Sequence, residues 1–282
     1  MTWRAALVLL LLAIFSPAAH AHTSAKQRLT AHVDGTSLTV FTYRPSCEPR
    51  GIILVFHGIA RNARHYRDAT IPLADAACAL VYAPQFDATR FPSSAYQHGG
   101  VTPDRATLTS APVAMVPDLI RWAQARSGSP LPTMLVGHSA GAQFLSRVAA
   151  YVPTAARAIV LADPSTYVMP DPAVAAPFGG GFTSPDPGWL AAYLSRPIFI
   201  VLGANDVTDN HHLSETPQAR AQGSNRLTRG QTAFALGQAA ARRIGRPCAW
   251  QKAIVPGVGH DAAAMFASSQ MRDIARAVFR SP

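Results

Sequence analysis

The sequence predicts an α/β fold: a mostly parallel central sheet with an antiparallel N-terminal start and helices on both faces. Three observations carry this. Short, almost wholly apolar runs rich in Val, Ile and Leu recur along the chain, as strands buried on both faces require. Stretches of helical periodicity fall between them. The first segments instead alternate apolar and polar residues around a glycine, which is a hairpin signal.

Taken in order, the chain opens with MTWRAALVLLLLAIFSPAAHAHTS, in which Arg4 precedes an apolar run from Ala5 to Phe15, then Pro17 and the small-residue pattern Ala19-His20-Ala21. This spells a secretory signal peptide over residues 1–21, cut after Ala21. Residues 22–282 are then expected to form a single exported domain, periplasmic or extracellular. No later segment approaches the ~20 apolar residues of a membrane-spanning helix. The hairpin follows as RLTAHVD and SLTVFTYRP around Gly35. GIILVFHG, ALVYAP, TMLVGHS and AIVLAD are the buried strands, and PIFIVLGAND and WQKAIVPGVGH continue the series. Helices are expected over roughly Arg67 to Ala77, Pro112 to Ser127, Gly141 to Tyr151, Thr228 to Arg243 and Ala262 to Phe279.

Two stretches break the alternation. Pro84 to Ala111 carries Phe86, Phe91 and Tyr96, and Asp163 to Gly188 is rich in proline and glycine. Loops this long in a compact domain usually build a binding surface. Both follow strands and therefore emerge at the carboxyl edge of the sheet, where open α/β folds bind ligands.

With 25 basic and 15 acidic residues the formal charge is +10. Nucleic-acid binding is not the expected use of it. Only Lys26 and Lys252 are lysines, and the arginines are scattered rather than gathered in a stripe with aromatics. Attraction to anionic surfaces or acidic substrates suits the charge better. Cys47, Cys78 and Cys248 match no zinc spacing. Cys47 and Cys78 each precede a predicted strand, so their sulfurs can meet if those strands are neighbours; buried unpaired cysteines are the alternative.

The chemistry centres on Gly137-His138-Ser139-Ala140-Gly141, a G-x-S-x-G match placed where a strand turns abruptly into a helix. Glycines two positions either side relieve the crowding of that turn, and the serine hydroxyl projects clear of the sheet. Such a hydroxyl needs a positioned base. His260, between the last strand and the last helix, sits at the same edge; His57 and His138 directly flank structural turns. The base needs an orienting carboxylate. Asp206 comes first after the Gly203 turn and is preferred to Asp209, with Asp163 a weaker third candidate and Asp261 badly placed to face the ring. Donors for an oxyanion are the amides of Ala140, after the serine, and Ile59, in the turn after an earlier strand. Phe86, Tyr167 and Phe178 are candidate apolar walls for acyl and alcohol pockets. The stretch DVTDNHH holds the metal-ligating types Asp206, Asp209, His211 and His212, but adjacent histidines point apart, and no metal site is assigned there.

These residues, in the order Ser139, Asp206, His260, resemble the α/β-hydrolase superfamily over nearly the whole mature chain. VFHGIARNARHYRD, VGHSAGAQFLSRVA, RLTRGQTAFA and VPGVGHD resemble secreted bacterial polyhydroxybutyrate depolymerase-like hydrolases. The resemblance implies a serine hydrolase of carboxylic esters with Ser139, Asp206 and His260 as triad and the Ile59 and Ala140 amides as oxyanion hole. It implies no metal and no organic cofactor. The chain ends at Pro282, just past the last predicted helix, without a separate polymer-binding domain, which argues against insoluble polymer and for a small or oligomeric ester. A peptidase or acyltransferase would use the same triad, and a silent binding scaffold would require the triad to be broken.

Overall fold

The computed structural model describes residues 25–208 and 212–280. The expected signal peptide lies outside these residues, as do Asp209, Asn210 and His211. The strands are β1 (Lys26–Val33), β2 (Thr36–Tyr43), β3 (Gly51–Phe56), β4 (Ala79–Pro84), β5 (Thr133–His138), β6 (Ala158–Ala162), β7 (Ile198–Gly203) and β8 (Gln251–Val255). They form one sheet in the order β1-β2-β4-β3-β5-β6-β7-β8. β2 pairs antiparallel with β1 and with β4, and every other pairing is parallel. The fold class expected from the sequence is the one observed.

The burial pattern explains why the strands read as they do. β3, β4, β5 and β6 are buried at every residue, because helices cover both faces of the sheet centre. The edge strands β1 and β8 keep exposed positions and a more polar spelling. Within β3 the side chains sort by parity: Ile52, Leu54 and Phe56 enter one core, Ile53 and Val55 the other.

Helices α1 (Ala63–Ala77), α2 (Ser93–Tyr96), α3 (Val116–Ser127), α4 (Ala140–Tyr151), α5 (Trp189–Leu194), α6 (Pro217–Arg220), α7 (Arg226–Arg243), α8 (Ala262–Phe266) and α9 (Ser269–Phe279) accompany the sheet. α1, α8 and α9 contribute to one core; α3, α4, α5 and α7 contribute to the other. The C-terminal helix expected as one is two. Ser268 interrupts it, its hydroxyl accepting from the Met271 amide 3.2 Å away, a side-chain cap that starts α9 afresh. α7 starts two residues earlier than expected, behind a reciprocal cap of Asn225 and Thr228. Among the described residues no helix is long and apolar enough to cross a membrane.

Cys47 and Cys78 are joined in a disulfide, Cα atoms 5.7 Å apart, and Cys248 is a half-buried free thiol. β3 and β4 are indeed neighbours, which brings the chain ahead of each together. The two long loops leave the carboxyl ends of β4 and β6 as expected and are tied to each other. Arg105 pairs with Asp186 at 2.6 Å, and the Thr183 amide donates to the Pro103 carbonyl at 2.9 Å.

Candidate active site

Ser139 links the end of β5 to the start of α4 with φ 56° and ψ −118°, a left-handed conformation that a non-glycine residue adopts only when its surroundings force it. The forcing is visible at the two glycines. A Cβ on Gly137 would lie 2.5 Å from the Gly141 carbonyl carbon, and one on Gly141 would collide with the carbonyl of Phe56. α4 thus starts directly against the end of β3, and the Ser139 amide donates to the Ala162 carbonyl of β6 at 3.0 Å. The turn is clamped between both neighbouring strands.

His260 follows β8. Its Nε2 is 3.0 Å from the Ser139 hydroxyl and its Nδ1 is 2.6 Å from Oδ2 of Asp206. A carboxylate can only accept, so Nδ1 carries the proton and Nε2 is left to accept the serine proton. Backbone bonds hold the carboxylate turn against the loop that carries the imidazole: the Ala204 amide donates to Val255 and the Asn205 amide to Val258, at 3.0 and 2.8 Å. Asp206 is buried, and Arg226, wholly buried at the start of α7, brings Nη1 to 3.4 Å from its Oδ1. Of the carboxylates weighed from sequence, Asp206 meets the imidazole. Asp261 turns away, its carboxylate accepting from the Ala263 and Ala264 amides to cap α8. Asp209 lies outside the described residues, as does His211 of the DVTDNHH stretch.

The amide of Ala140 opens α4, where the first helical N–H groups have no partner within the helix. Ile59 lies in the turn after β3, closed by the Arg61 amide donating to Gly58 at 3.1 Å, and its side chain is exposed. His57 fixes this turn. Its Nδ1 donates to the Gly58 carbonyl at 2.9 Å and its Nε2 accepts from the Phe86 amide at 3.1 Å. Burial lowers the His57 imidazole to about 4, with the Arg61 charge acting in the same direction. Both ring nitrogens of a neutral imidazole are therefore spent on backbone. His138 is also buried, its Nδ1 3.1 Å from the Tyr66 hydroxyl; desolvation, then the nearby His260 and Arg226, push its pKa well below the ordinary value. Neither histidine competes with His260 for the serine.

Two expected pocket walls are corrected. Phe86 is fully buried in a ring cluster, with centroids 5.2 Å from Tyr96 and Phe144 and 5.0 Å from Phe91. Tyr167 is likewise in the core, its backbone exchanging bonds with the Gln222 amide at 2.8 and 3.0 Å. Long loops are held in part by sending large apolar side chains inward, and Phe86 anchors the loop after β4 as Tyr167 anchors the loop after β6. Phe178 is half-buried between the two long loops, 5.3 Å from the His98 ring and below the Arg147 guanidinium.

Sequence reasoning left two buried arginines of RLTRG without a role. Arg226 faces Asp206, and Arg229 donates to the carbonyls of Ser165, Ser214 and Gly223 at 2.8 to 2.9 Å, tying the loop after β6 to α7. The signal was present as two arginines three apart on a helix facing apolar strands, where a charge is kept only if it is paired. His138, Asp163 and His260 place three possible metal-ligating atoms within 4.8 Å of one another. Both nitrogens of His260 are already engaged by Ser139 and Asp206, which suits a proton relay and not a metal centre.

A sheet of this order, carrying a serine, an imidazole and a carboxylate in contact at its carboxyl edge, defines an α/β serine hydrolase. Comparison with solved structures agrees. The chain matches poly(aspartic acid) hydrolase-1 from Sphingomonas sp. KT-1 at 31% identity and a TM-score of 0.80, over 91% of this chain and 99% of that one. It matches LpqC, a poly(3-hydroxybutyrate) depolymerase from Bordetella parapertussis, at 28% identity and a TM-score of 0.79, over 92% of each. The S-formylglutathione hydrolase FrmB from Staphylococcus aureus, at 14% identity and a TM-score of 0.54, shares the fold. No protein-family model and no curated protein matches the chain. The chain belongs to the polyhydroxybutyrate depolymerase-like group of the α/β-hydrolase superfamily.

Proposed function

We propose that this protein is an exported serine hydrolase that cleaves carboxylic esters through an acyl-enzyme. The observation that carries the reading is the unbroken relay from the Ser139 hydroxyl to His260 Nε2 at 3.0 Å and from His260 Nδ1 to Asp206 at 2.6 Å. Ser139 attacks the ester carbonyl while His260 takes its proton. The tetrahedral intermediate collapses as His260 returns that proton to the leaving alcohol. Water then cleaves the acyl-serine with His260 again as base, and Asp206 keeps the imidazole oriented throughout. The amides of Ile59 and Ala140 serve as oxyanion donors, each worth about 3–4 kcal/mol of transition-state stabilisation. Export follows from the leader pattern at residues 1–21.

A second substrate class has its own support. The formal charge of +10 favours polyanions, and the likeness at 31% identity is to a hydrolase of poly(aspartic acid), so amide bonds of an acidic polymer are the rival to esters. The test sets short acyl esters, hydroxybutyrate oligomers and poly(aspartate) side by side with purified mature protein. Esters are expected to turn over fastest, and a fluorophosphonate is expected to label Ser139. Folded protein that takes no label, or a Ser139→Ala variant that still takes it, refutes the serine mechanism. Faster turnover of poly(aspartate) refutes the ester assignment alone.

A further inference from the structure

Asp163 is a buried carboxyl near the relay that the proposed cycle leaves idle, and the fold maintains it there against several costs. It stands just past the end of β6 with φ 45°, a left-handed conformation, and its side chain is wholly removed from solvent. Both carboxyl oxygens accept from the Gly203 amide, at 3.0 and 3.2 Å, and its own amide donates to Val201 at 3.2 Å. Gly203 admits this approach, since a Cβ there would lie 3.2 Å from Oδ2 of Asp163. One Asp163 oxygen lies within 4.8 Å of ring nitrogens of both His260 and His138. The Nε2 of His138 is buried and has no hydrogen-bond partner among the described residues.

The groups that face Asp163 come from every surrounding element. They are Asp206 after β7, His260 after β8, His138 at the end of β5, Arg226 at the start of α7 and Tyr167 in its own loop. Burial first, and the Asp206 charge second, push the Asp163 carboxyl up to about 8; the Gly203 amide and Arg226 act the other way. Two carboxylates sharing a dry site do not both ionise readily. Asp163 is thereby held toward its neutral acid form, beside the imidazoles of His260 and His138. Were burial the only requirement at this position, an apolar residue would serve at lower cost.

We propose that Asp163 is a second acid of this site, a positioning residue whose carboxyl stands behind His260 alongside Asp206 and holds the imidazole when Asp206 is neutralised or removed. This rests on the triad reading above. In Asp206→Asn, with one acidic charge gone, Asp163 ionises more readily and is placed to accept from the imidazole N–H.

The test compares wild type, Asp163→Asn, Asp206→Asn and the double variant in ester hydrolysis across about pH 6 to 9.5, with melting temperatures measured alongside. Asp206→Asn is expected to lose about 10²-fold in kcat, less than the ~10⁴-fold typical when a triad loses its only carboxylate. Its residual rate should climb with pH as Asp163 ionises, at a lower pH than beside Asp206 because the Asp206 charge that helped raise it is gone. The double variant should fall at least about tenfold further and show no such climb. Equal rates and superimposable pH profiles for Asp206→Asn and the double variant overturn the proposal. If Asp163→Asn does not fold, Asp163→Ser takes its place in the same comparison: a rate and pH profile shared by Asp206→Asn and its double variant with Asp163→Ser overturn the proposal, and a further loss with no climb supports it. An Asp206→Asn variant with undiminished activity instead overturns the assignment of Asp206 itself, which separates failure of the triad from failure of this inference.

Discussion

Arg226 and Asp206 face each other 3.4 Å apart, with both side chains withdrawn from solvent. The carboxylate is thereby gripped from two sides, by a guanidinium on α7 and by the imidazole of His260, and the Leu227 amide donates to the Asp206 carbonyl at 3.4 Å. Removing one partner of a buried ion pair typically costs about 3–5 kcal/mol because the other is left uncompensated. Arg226→Met is therefore expected to lower both stability and kcat, and Arg226→Lys to recover part of each. Denaturant unfolding and steady-state kinetics on the two variants check this. Wild-type stability in Arg226→Met would show that the pair does not hold the site.

The turn at Ser139 should be intolerant of a single methyl group. Gly141→Ala places a Cβ against the Phe56 carbonyl, a backbone atom that cannot swing aside. Overpacking of this kind costs about 1–3 kcal/mol or more, and here it also pushes α4 away from the oxyanion turn. The variant should lose activity by a larger factor than its melting temperature suggests. Gly188→Ala is the matched control, since a Cβ there meets only the Asp186 carboxylate at 3.4 Å, and it should behave as wild type.

His57 gives a pH-dependent signature. Its imidazole titrates near 4 in the folded protein because of burial, against about 6.5 when unfolded. Between those values the unfolded chain binds more protons, so stability is lost as pH falls through this window and is fully present above it. His57→Leu should lessen that acid-side loss by the share His57 contributes, His138 keeping its own, while lowering stability at neutral pH, since the Gly58 carbonyl and Phe86 amide lose their partners. It should also lower kcat through the displaced Ile59 turn. Melting temperatures of both proteins across about pH 4 to 8 test the sign.

The bond between Cys47 and Cys78 closes a loop of sequence separation 31. Chain-entropy reasoning gives it about 4 kcal/mol of stabilisation, acting on the unfolded chain. A Cys47→Ser/Cys78→Ser variant should unfold at correspondingly lower denaturant, with kcat and KM unchanged in the folded protein because the bond lies at the ends of β3 and β4 opposite to the relay. Altered kinetics in the folded variant would contradict that separation.

Much of this protein follows from local pattern. Full burial makes β3 to β6 continuous apolar runs, so their number and order could be read directly, and the elbow announces itself because only glycine fits beside strand and helix at Gly137 and Gly141. Chain order likewise put Ser139, Asp206 and His260 at one sheet edge. What the tertiary structure alone decided is which groups actually touch. Phe86 and Tyr167 look like pocket walls in a polar loop, yet a loop's apolar side chains are drawn inward by the core they meet only after folding. Arg226 looks like a surface helix charge until α7 docks it on Asp206, and Asp163 gains its surroundings only when β6 and β7 lie side by side. Sequence periodicity records which way a residue faces; the charge across from it belongs to another part of the chain and is supplied by packing.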